Sequence, residues 1–113
     1  MDRDQQYGPD GRLHVSSAME ADRTLVVVEG EADFTTSPRL AEALEEAVTN
    51  RAGRVDVDLG RLSFCDCSCV HVLLTAREHA RETGVRFACV ALSPCAERVL
   101  ELTQAGPLLQ AAA

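Results

Sequence analysis

Apolar residues are concentrated in stretches whose patterns predict β-strands. Residues 25–28 form a continuous run of leucine and valine, typical of a strand that is buried on both faces. Residues 13–19 show a weaker strand pattern, and the two stretches together predict a hairpin. The remaining strand candidates are residues 54–59, which a glycine at position 60 interrupts, residues 86–91, and a last short stretch at residues 108–113.

Between these strands the apolar residues recur at helical spacing. Ser37 and Pro38 open the first helix, with the serine as the expected cap and the proline in the first turn. The second helix follows residue 66 and continues to about Thr83, where Gly84 ends it. Ser93-Pro94 repeats the opening signal for a third helix, which Gly106-Pro107 ends.

The order of these elements predicts the fold class. Strands that alternate with helices of about 10–15 residues are typical of βαβ units with right-handed crossovers and a largely parallel sheet. A chain of 113 residues is enough for one domain with a single core. Residues 1–12 are polar and include Gly-Pro-Asp-Gly at positions 8–11, so we predict a mobile N-terminal tail. Residues 13–113 then form an α/β domain with an open sheet backed by helices.

An aspartate and a serine lie where the strand over residues 54–59 and its following loop lead into the second helix. The start of a helix presents unpaired backbone N–H groups and the positive end of the helix dipole. A phosphate on Ser68 would meet both, so the position suits a phosphorylation switch. The alternative is that Asp66 or Ser68 only caps the helix.

Two segments resemble a known family. Residues 28–33 (Val-Glu-Gly-Glu-Ala-Asp) and residues 58–68 resemble the STAS domain family, in particular the small anti-sigma factor antagonists of bacteria. The resemblance extends over roughly residues 13–106 and implies a mixed sheet of about four to five strands backed by about three helices. The signature of the family is Asp-Ser-Ser-Gly, in which the second serine is the phosphoacceptor. Here Asp66 and Ser68 match this signature, while Cys67 and Cys69 replace its first serine and its glycine.

The resemblance implies a function. An anti-sigma factor antagonist binds an anti-sigma factor that has serine kinase activity and releases a sigma factor, and phosphorylation of Ser68 would switch the binding off. Asp33 matches the aspartate after the Gly-Glu segment, although it is equally explained as a turn residue before the first helix. The expected partner-binding residues are Asp33, Asp66, Cys67, Ser68, Cys69 and His71.

Charge and hydropathy exclude some partners. The formal net charge is −7 and the sequence contains no lysine, so nucleic acid is not an expected partner. No apolar stretch approaches the ~20 residues of a membrane helix, and the N-terminus lacks the apolar core of a signal peptide. We therefore expect no membrane association, a cytoplasmic location and reduced thiols. The oligomeric state stays open between a monomer and a weak homodimer.

The five cysteines raise alternatives. Cys65, Cys67, Cys69 and His71 offer four soft metal ligands, but structural zinc sites space their cysteines by about two to four residues and use two separated segments. We expect neither a metal nor a cofactor. A helix N-terminus favours a reactive thiol at Cys67 or Cys69. The open alternatives are a STAS interaction or scaffold module that is not phosphorylated, and a cysteine-based redox or metal sensor. Cys65, Cys89 and Cys95 are predicted to be small buried hydrophobic residues.

Enzyme motifs are missing from the sequence. It has no glycine-rich phosphate loop, no Gly-x-Ser-x-Gly and no His-Glu-x-x-His. A cysteine nucleophile at Cys67 or Cys69 with a histidine base is the remaining enzyme alternative, and only the residue types support it. We therefore predict a binding protein that is not an enzyme and has no catalytic residues.

Overall fold

A computed structural model describes residues 4–7, 11–50 and 53–110 of the chain. Strands and helices alternate in the described residues after an antiparallel opening, as the sequence predicts. The elements are β1 (Asp4–Tyr7), β2 (Leu13–Glu20), β3 (Arg23–Ala32), α1 (Ser37–Thr49), β4 (Arg54–Cys65), α2 (Cys67–Glu82), β5 (Arg86–Leu92), α3 (Pro94–Leu102) and α4 (Gly106–Leu109). The α/β fold class is thereby confirmed.

The strands form one mixed sheet in the order β1-β2-β3-β4-β5. The first three strands pair antiparallel, which confirms the predicted hairpin between β2 and β3. β3, β4 and β5 pair in parallel. Parallel neighbours need a crossover, and α1 and α2 supply the two connections. As a result, β3 and β4 both end at the same edge of the sheet.

The core lies between one face of the sheet and the helices. Val26 and Val28 of β3 are fully buried, and α1 packs against α2 over this face. The largest completely buried side chains are Leu13, Leu40, Leu44, Leu59, Leu73, Leu109, Val15, Val26, Val28, Val48, Val55 and Val57. Leu25 and Val27 point to the opposite face and are only half-buried. The predicted burial of this strand on both faces is therefore wrong, because the helices pack over the other face of the sheet.

Part of the predicted N-terminal tail is ordered into the sheet. Residues 4–7 form β1, in which Gln6 pairs with Val15 of β2. Arg12 is held by side-chain hydrogen bonds to Glu31 and Asp33. The prediction of a tail is wrong for these positions, because strand pairing and ion pairs hold polar residues that composition alone assigns to a tail. Residues 1–3 and 8–10 lie outside the described residues.

Three predicted boundaries also change. β4 continues through Gly60 to Cys65, because register shifts against β3 and β5 absorb the irregularity. The N-cap of α1 is Thr36, so Ser37 is the first helical residue and not the cap. The predicted strand at 108–113 is wrong where it is described, since α4 ends at Leu109 and only Gln110 forms a bridge to β5. Residues 111–113 lie outside the described residues.

A buried carboxylate lies in β4. Asp56 has no exposed surface and forms ion pairs with Arg23 at 2.7 Å and Arg54 at 2.9 Å. A buried charge needs such partners, since its transfer from water is otherwise strongly unfavourable. The strand pattern over residues 54–59 does not show this burial, because Arg23 belongs to another strand.

Candidate functional site

The candidate site lies where β3 and β4 end side by side. The last residue pair between these strands is Ala32 with Cys65. The backbone N–H of Asp66 then donates to the carbonyl oxygen of Ala32 at 3.2 Å. This bond places the loop that begins at Asp33 next to the start of α2. The fold therefore brings two sequence-predicted regions, 33 and 66–71, to one edge of the sheet.

Asp66 and Ser68 form a closed local arrangement at the start of α2. Asp66 is the N-cap, with extended backbone angles, and its side chain accepts from the backbone N–H of Ser68 at 3.0 Å. The same carboxylate oxygen accepts a bond of 2.5 Å from the Ser68 hydroxyl. Both candidate roles therefore have a place in the structure, because the aspartate caps the helix and the half-buried serine lies in its first turn.

A phosphate on Ser68 would encounter two opposing fields. The N-terminus of a long helix attracts an anion, and α2 has 16 residues with no acidic side chain in its first turn. The Asp66 carboxylate repels an anion at the same place. Phosphorylation also removes the hydroxyl proton that Ser68 donates to Asp66. A form with a phosphate on Ser68 would therefore differ from this one in charge and in one hydrogen bond.

The residues that flank Ser68 point in different directions. Cys67 and His71 are exposed, whereas Cys69 is buried with only 1% of its surface accessible. Because the Cys69 side chain packs into the core, it does not reach the surface on which Cys67 and His71 lie. The expectation that Cys69 binds a partner is therefore corrected. Its side chain fills core space that a glycine would leave empty.

Asp33 organises the loop between β3 and α1. Its carboxylate accepts from the Thr35 hydroxyl at 2.7 Å, from the Arg12 guanidinium at 2.6 Å, and from the backbone N–H groups of Thr35 and Thr36. The hydrogen bonds from Thr35 and Arg12 lower the pKa of Asp33 below its usual range. The structure thus gives Asp33 the turn role that the sequence offered as an alternative.

Gly30 and Arg12 are structural residues of the site that the sequence did not single out. The backbone N–H of Glu31 donates to the Arg12 carbonyl oxygen at 2.9 Å. Gly30 has φ +99°, and a Cβ atom there would lie 2.0 Å from that oxygen. Only glycine permits this approach. The Gly-Glu segment was the available signal, but the approaching chain is visible only in the tertiary structure.

Two exposed aromatic side chains flank the site and were also missed. Phe34, which follows Asp33, is 75% exposed, and Phe64, which precedes Cys65, is 49% exposed. The chain has only three phenylalanines, so two of them are exposed at one edge of the sheet. Aromatic residues are enriched at protein interfaces, where they act as anchors. The sequence feature that could have indicated their exposure is the position of each phenylalanine beside a polar residue.

The cysteines near the site are mostly internal. Cys65 and Cys89 are buried as predicted, and Cys95 is half-buried. The pKa of Cys65 is raised above its usual range by a hydrogen bond with the Cys69 thiol and by burial, and burial raises that of Cys89 to about 12. Within the described residues, no group of three or more His, Cys, Asp or Glu side chains has the arrangement of a metal site.

None of the helices in the described part of the chain is both long enough and apolar enough to span a membrane.

The fold and the serine at a helix start define a class of regulatory domain, and a family model identifies it. The model described as Mlab, STAS domain, matches residues 15–110. The chain belongs to the STAS domain family, as the resemblance in its sequence predicted. The comparison with curated proteins gave no significant match.

Solved structures with a similar fold include several anti-sigma factor antagonists. One from Mycobacterium paratuberculosis is 23% identical, with a TM-score of 0.79 over 92% of this chain and 87% of that one. The unphosphorylated form of SpoIIAA is 21% identical, with a TM-score of 0.72 over 88% of each chain. The phosphorylated form of SpoIIAA from Bacillus is 20% identical, with a TM-score of 0.66 over 88% of this chain and 91% of that one. At these identities the similarity shows a common fold.

Proposed function

We propose that this STAS domain is an anti-sigma factor antagonist that binds an anti-sigma factor and is switched off by phosphorylation of Ser68. The observation that carries the proposal is the Ser68 hydroxyl, which is bound to the Asp66 carboxylate at the first turn of α2. The names of the structurally similar proteins support the class of function, and the two described forms of SpoIIAA support phosphorylation as the switch.

The proposed contact area, which we call the switch surface, consists of Phe34, Phe64, Cys67, Ser68 and His71. The two phenylalanines offer apolar area that a partner can bury, and the remaining residues surround them with polar groups. The net charge of −7 favours a partner with an overall basic charge, because opposite charges accelerate association. Binding to such a surface requires no catalytic group on this chain.

The charge of a phosphate on Ser68 explains how phosphorylation would prevent partner binding. Phosphorylation adds about −1.5 to −2 charges at neutral pH. The phosphate would lie beside Asp66 and in the centre of the switch surface, where a partner has to exclude water. A buried phosphate without a matching cation strongly opposes binding. The core residues around α2 need not move, so the proposed inhibition is local and does not involve unfolding.

The partner in this proposal is an anti-sigma factor that carries its own serine kinase activity. Its release of a sigma factor would occur in the bacterial cytoplasm. Phosphorylation would replace the hydroxyl proton of Ser68 with a phosphoryl group, so the 2.5 Å bond to Asp66 would be lost in the reaction.

The hydrogen bond between Ser68 and Asp66 also supports a second candidate function, an interaction module that is not phosphorylated. The Ser68 hydroxyl is half-buried and its orientation is fixed by the bond to Asp66, which limits the access of a kinase to it. In that case the switch surface binds its partner constitutively. Incubation with the purified partner and ATP separates the two, because only the first candidate gives a phosphorylated chain.

The binding proposal is tested with three immobilised proteins: the wild type, Ser68→Asp and Ser63→Asp. Each is exposed to extract from the native cells, and retained proteins are identified by mass spectrometry. We expect the wild type and Ser63→Asp to retain an anti-sigma factor, and Ser68→Asp to retain at least about tenfold less, since its carboxylate faces Asp66. Ser63 is exposed and lies on β4, so it controls for the added charge. Equal retention by all three proteins contradicts the switch.

A further inference from the structure

We propose that Cys65 and Cys95 are a redox modification site, which closes to a reversible intramolecular disulfide when the protein meets hydrogen peroxide. Their sulfur atoms lie 3.8 Å apart across the junction between the end of β4 and the start of α3. Cys95 has no role in the proposed binding of a partner. The proposal does not depend on the identity of the binding partner.

The surroundings hold these two thiols against each other. Cys95 lies in the first turn of α3, and its sulfur is 3.2 Å from the Ser93 hydroxyl and 3.5 Å from the carbonyl oxygen of Leu62. The backbone N–H of Ser93 also donates to the Leu59 carbonyl at 3.1 Å. The start of α3 is thus attached to β4 at two places. A disulfide needs the sulfurs to approach to about 2.05 Å, and the tethered segments require only a local movement for this.

The different exposure of the two thiols assigns their roles. Cys95 is half-buried and accessible to a small oxidant, whereas Cys65 is buried beside it. The Cys95 thiolate attacks one peroxide oxygen and breaks the O–O bond, which yields a sulfenic acid and, with one proton, water. The Cys65 thiolate then attacks the Cys95 sulfur, forms the S–S bond and displaces hydroxide, which takes up the second proton. Two thiols and one peroxide become one disulfide and two waters.

Two neighbouring cysteines provide competing reactions. Cys69 is close enough to Cys65 to raise the pKa of the Cys65 thiol. Cys67 is exposed, so it can join two chains. The disulfides that these two cysteines would form join other residues than Cys65 and Cys95, so a peptide map distinguishes them from the proposed disulfide. Burial raises the pKa of Cys95, so the thiolate is scarce at neutral pH and we expect a slow stoichiometric modification.

The position of the disulfide connects it to the switch surface. Cys65 directly precedes Asp66, the cap that holds the Ser68 hydroxyl. Oxidation would therefore fix the chain immediately before the cap. This consequence rests on the proposed function, whereas the disulfide itself can be mapped in the absence of any partner. If the proposed function is wrong, the disulfide can still be tested, and if the disulfide does not form, the proposed function can still be tested.

The test uses full-length protein that carries Cys67→Ser, so that intermolecular disulfides do not interfere. The protein is treated with hydrogen peroxide, its remaining thiols are blocked with N-ethylmaleimide, and it is digested with trypsin. Cleavage after Arg61 and Arg77 gives peptide 62–77, and cleavage after Arg86 and Arg98 gives peptide 87–98. We expect these two peptides to be joined, with fragment ions that place the link at Cys65 and Cys95. Dithiothreitol should separate them.

Thiol counting and matched variants complete the test. The chain has five cysteines and the variant lacks one, so the free thiols should fall from four to two. Cys95→Ser and Cys65→Ala should each abolish the link, while Cys89→Ser, which changes the same peptide as Cys95, should retain it. A link confined to peptide 62–77, or no loss of thiols in the folded protein, overturns the proposal. So does a joined pair that forms only in urea. The peptide map of the Cys67→Ser protein, in which Cys65 and Cys95 are unaltered, decides whether the disulfide forms even if one of the other variants fails to fold.

Discussion

The Asp66 carboxylate accepts two hydrogen bonds from Ser68, one from its backbone N–H at 3.0 Å and one from its hydroxyl at 2.5 Å. One residue thus caps α2 and also holds the side chain that we propose as the phosphoacceptor. The capping interpretation and the switch interpretation of the sequence are therefore not exclusive. They describe two bonds of the same pair, and phosphorylation would remove only the second.

Phosphorylation should occur at one residue of the motif. Ser68 is the only hydroxyl residue among positions 66–70, because Cys67 occupies the place of the first serine. With the purified partner and ATP, we expect one phosphate on wild type and on Ser63→Ala, and none on Ser68→Ala. Intact-protein mass spectrometry measures this directly. A phosphate that persists in Ser68→Ala would move the acceptor elsewhere and refute the assignment.

Loss of the cap should destabilise the protein moderately. Asp66→Ala removes the acceptor for the Ser68 N–H, and we expect the free energy of unfolding to fall by about 1 kcal/mol. Asp66→Asn retains an oxygen at this position, so its loss should be only a few tenths of a kcal/mol. Urea unfolding followed by circular dichroism gives both values. Equal losses in the two variants would show that charge, and not the capping bond, is the stabilising feature.

The exposed aromatic side chains should matter for binding and not for folding. Phe34→Ala and Phe64→Ala are each expected to weaken partner binding by about tenfold or more, with little change in stability. Leu102, on α3, is 74% exposed, which is close to the 75% of Phe34, so Leu102→Ala is the matched control. Calorimetric titration measures the affinities. If Leu102→Ala weakens binding as much as Phe34→Ala, the partner does not select the switch surface.

Asp33 should contribute a stability that acid removes. Its pKa is lowered in the folded state by the bonds from Thr35 and Arg12. The contribution is therefore complete above the ordinary aspartate pKa of about 4, and it decreases as the unfolded chain takes up a proton at lower pH. Asp33→Asn should reduce the free energy of unfolding at pH 7, and the difference from wild type should shrink between pH 5 and pH 3.

Urea unfolding at pH 7, 5 and 3 measures this dependence. Glu42→Gln, on the exposed side of α1, is the control for removal of a surface carboxylate. A difference between Asp33→Asn and wild type that grows toward pH 3 would have the wrong sign for a carboxylate whose pKa is lowered by folding.

Gly30 should be far less tolerant of a side chain than Gly84. Both have positive φ, at +99° and +78°, so alanine is strained at either position by about 1 kcal/mol. At Gly30 the added Cβ also meets the Arg12 carbonyl oxygen, whereas nothing lies within 4 Å at Gly84. We expect Gly30→Ala to lower the free energy of unfolding by about 2 kcal/mol or more. Thermal and urea unfolding of both variants measure the difference, and equal losses would contradict the clash.

Much of the fold follows from local patterns in the sequence. Apolar periodicity predicted β2 and β3, the first half of β4, β5 and the three longer helices, because the repeat of a strand or a helix is a property of neighbouring residues. The Ser93-Pro94 signal predicted the start of α3, and the Ser93 side chain does accept from Ala96. The placement of Ser68 at a helix start was also predictable, since Asp66 offers an N-cap at the end of a strand pattern.

Other features depend on contacts between distant parts of the chain. β1 was missed because its polar residues are ordered by pairing with β2, and the burial of Asp56 was missed because Arg23 approaches from another strand. The sequence showed five cysteines in a chain of 113 residues, but not that Cys65 lies against Cys95.

The sequence by itself thus determined the order of the elements and the chemistry of the Asp66–Ser68 pair, because both depend on residues within a few positions of each other. Only the tertiary structure decided which side chains surround that pair. It exposes Phe34 and Phe64 at the edge of the sheet and buries Cys69. The physical reason is that exposure is set by the packing of whole helices on the sheet, and a local pattern does not contain the position of its distant neighbours.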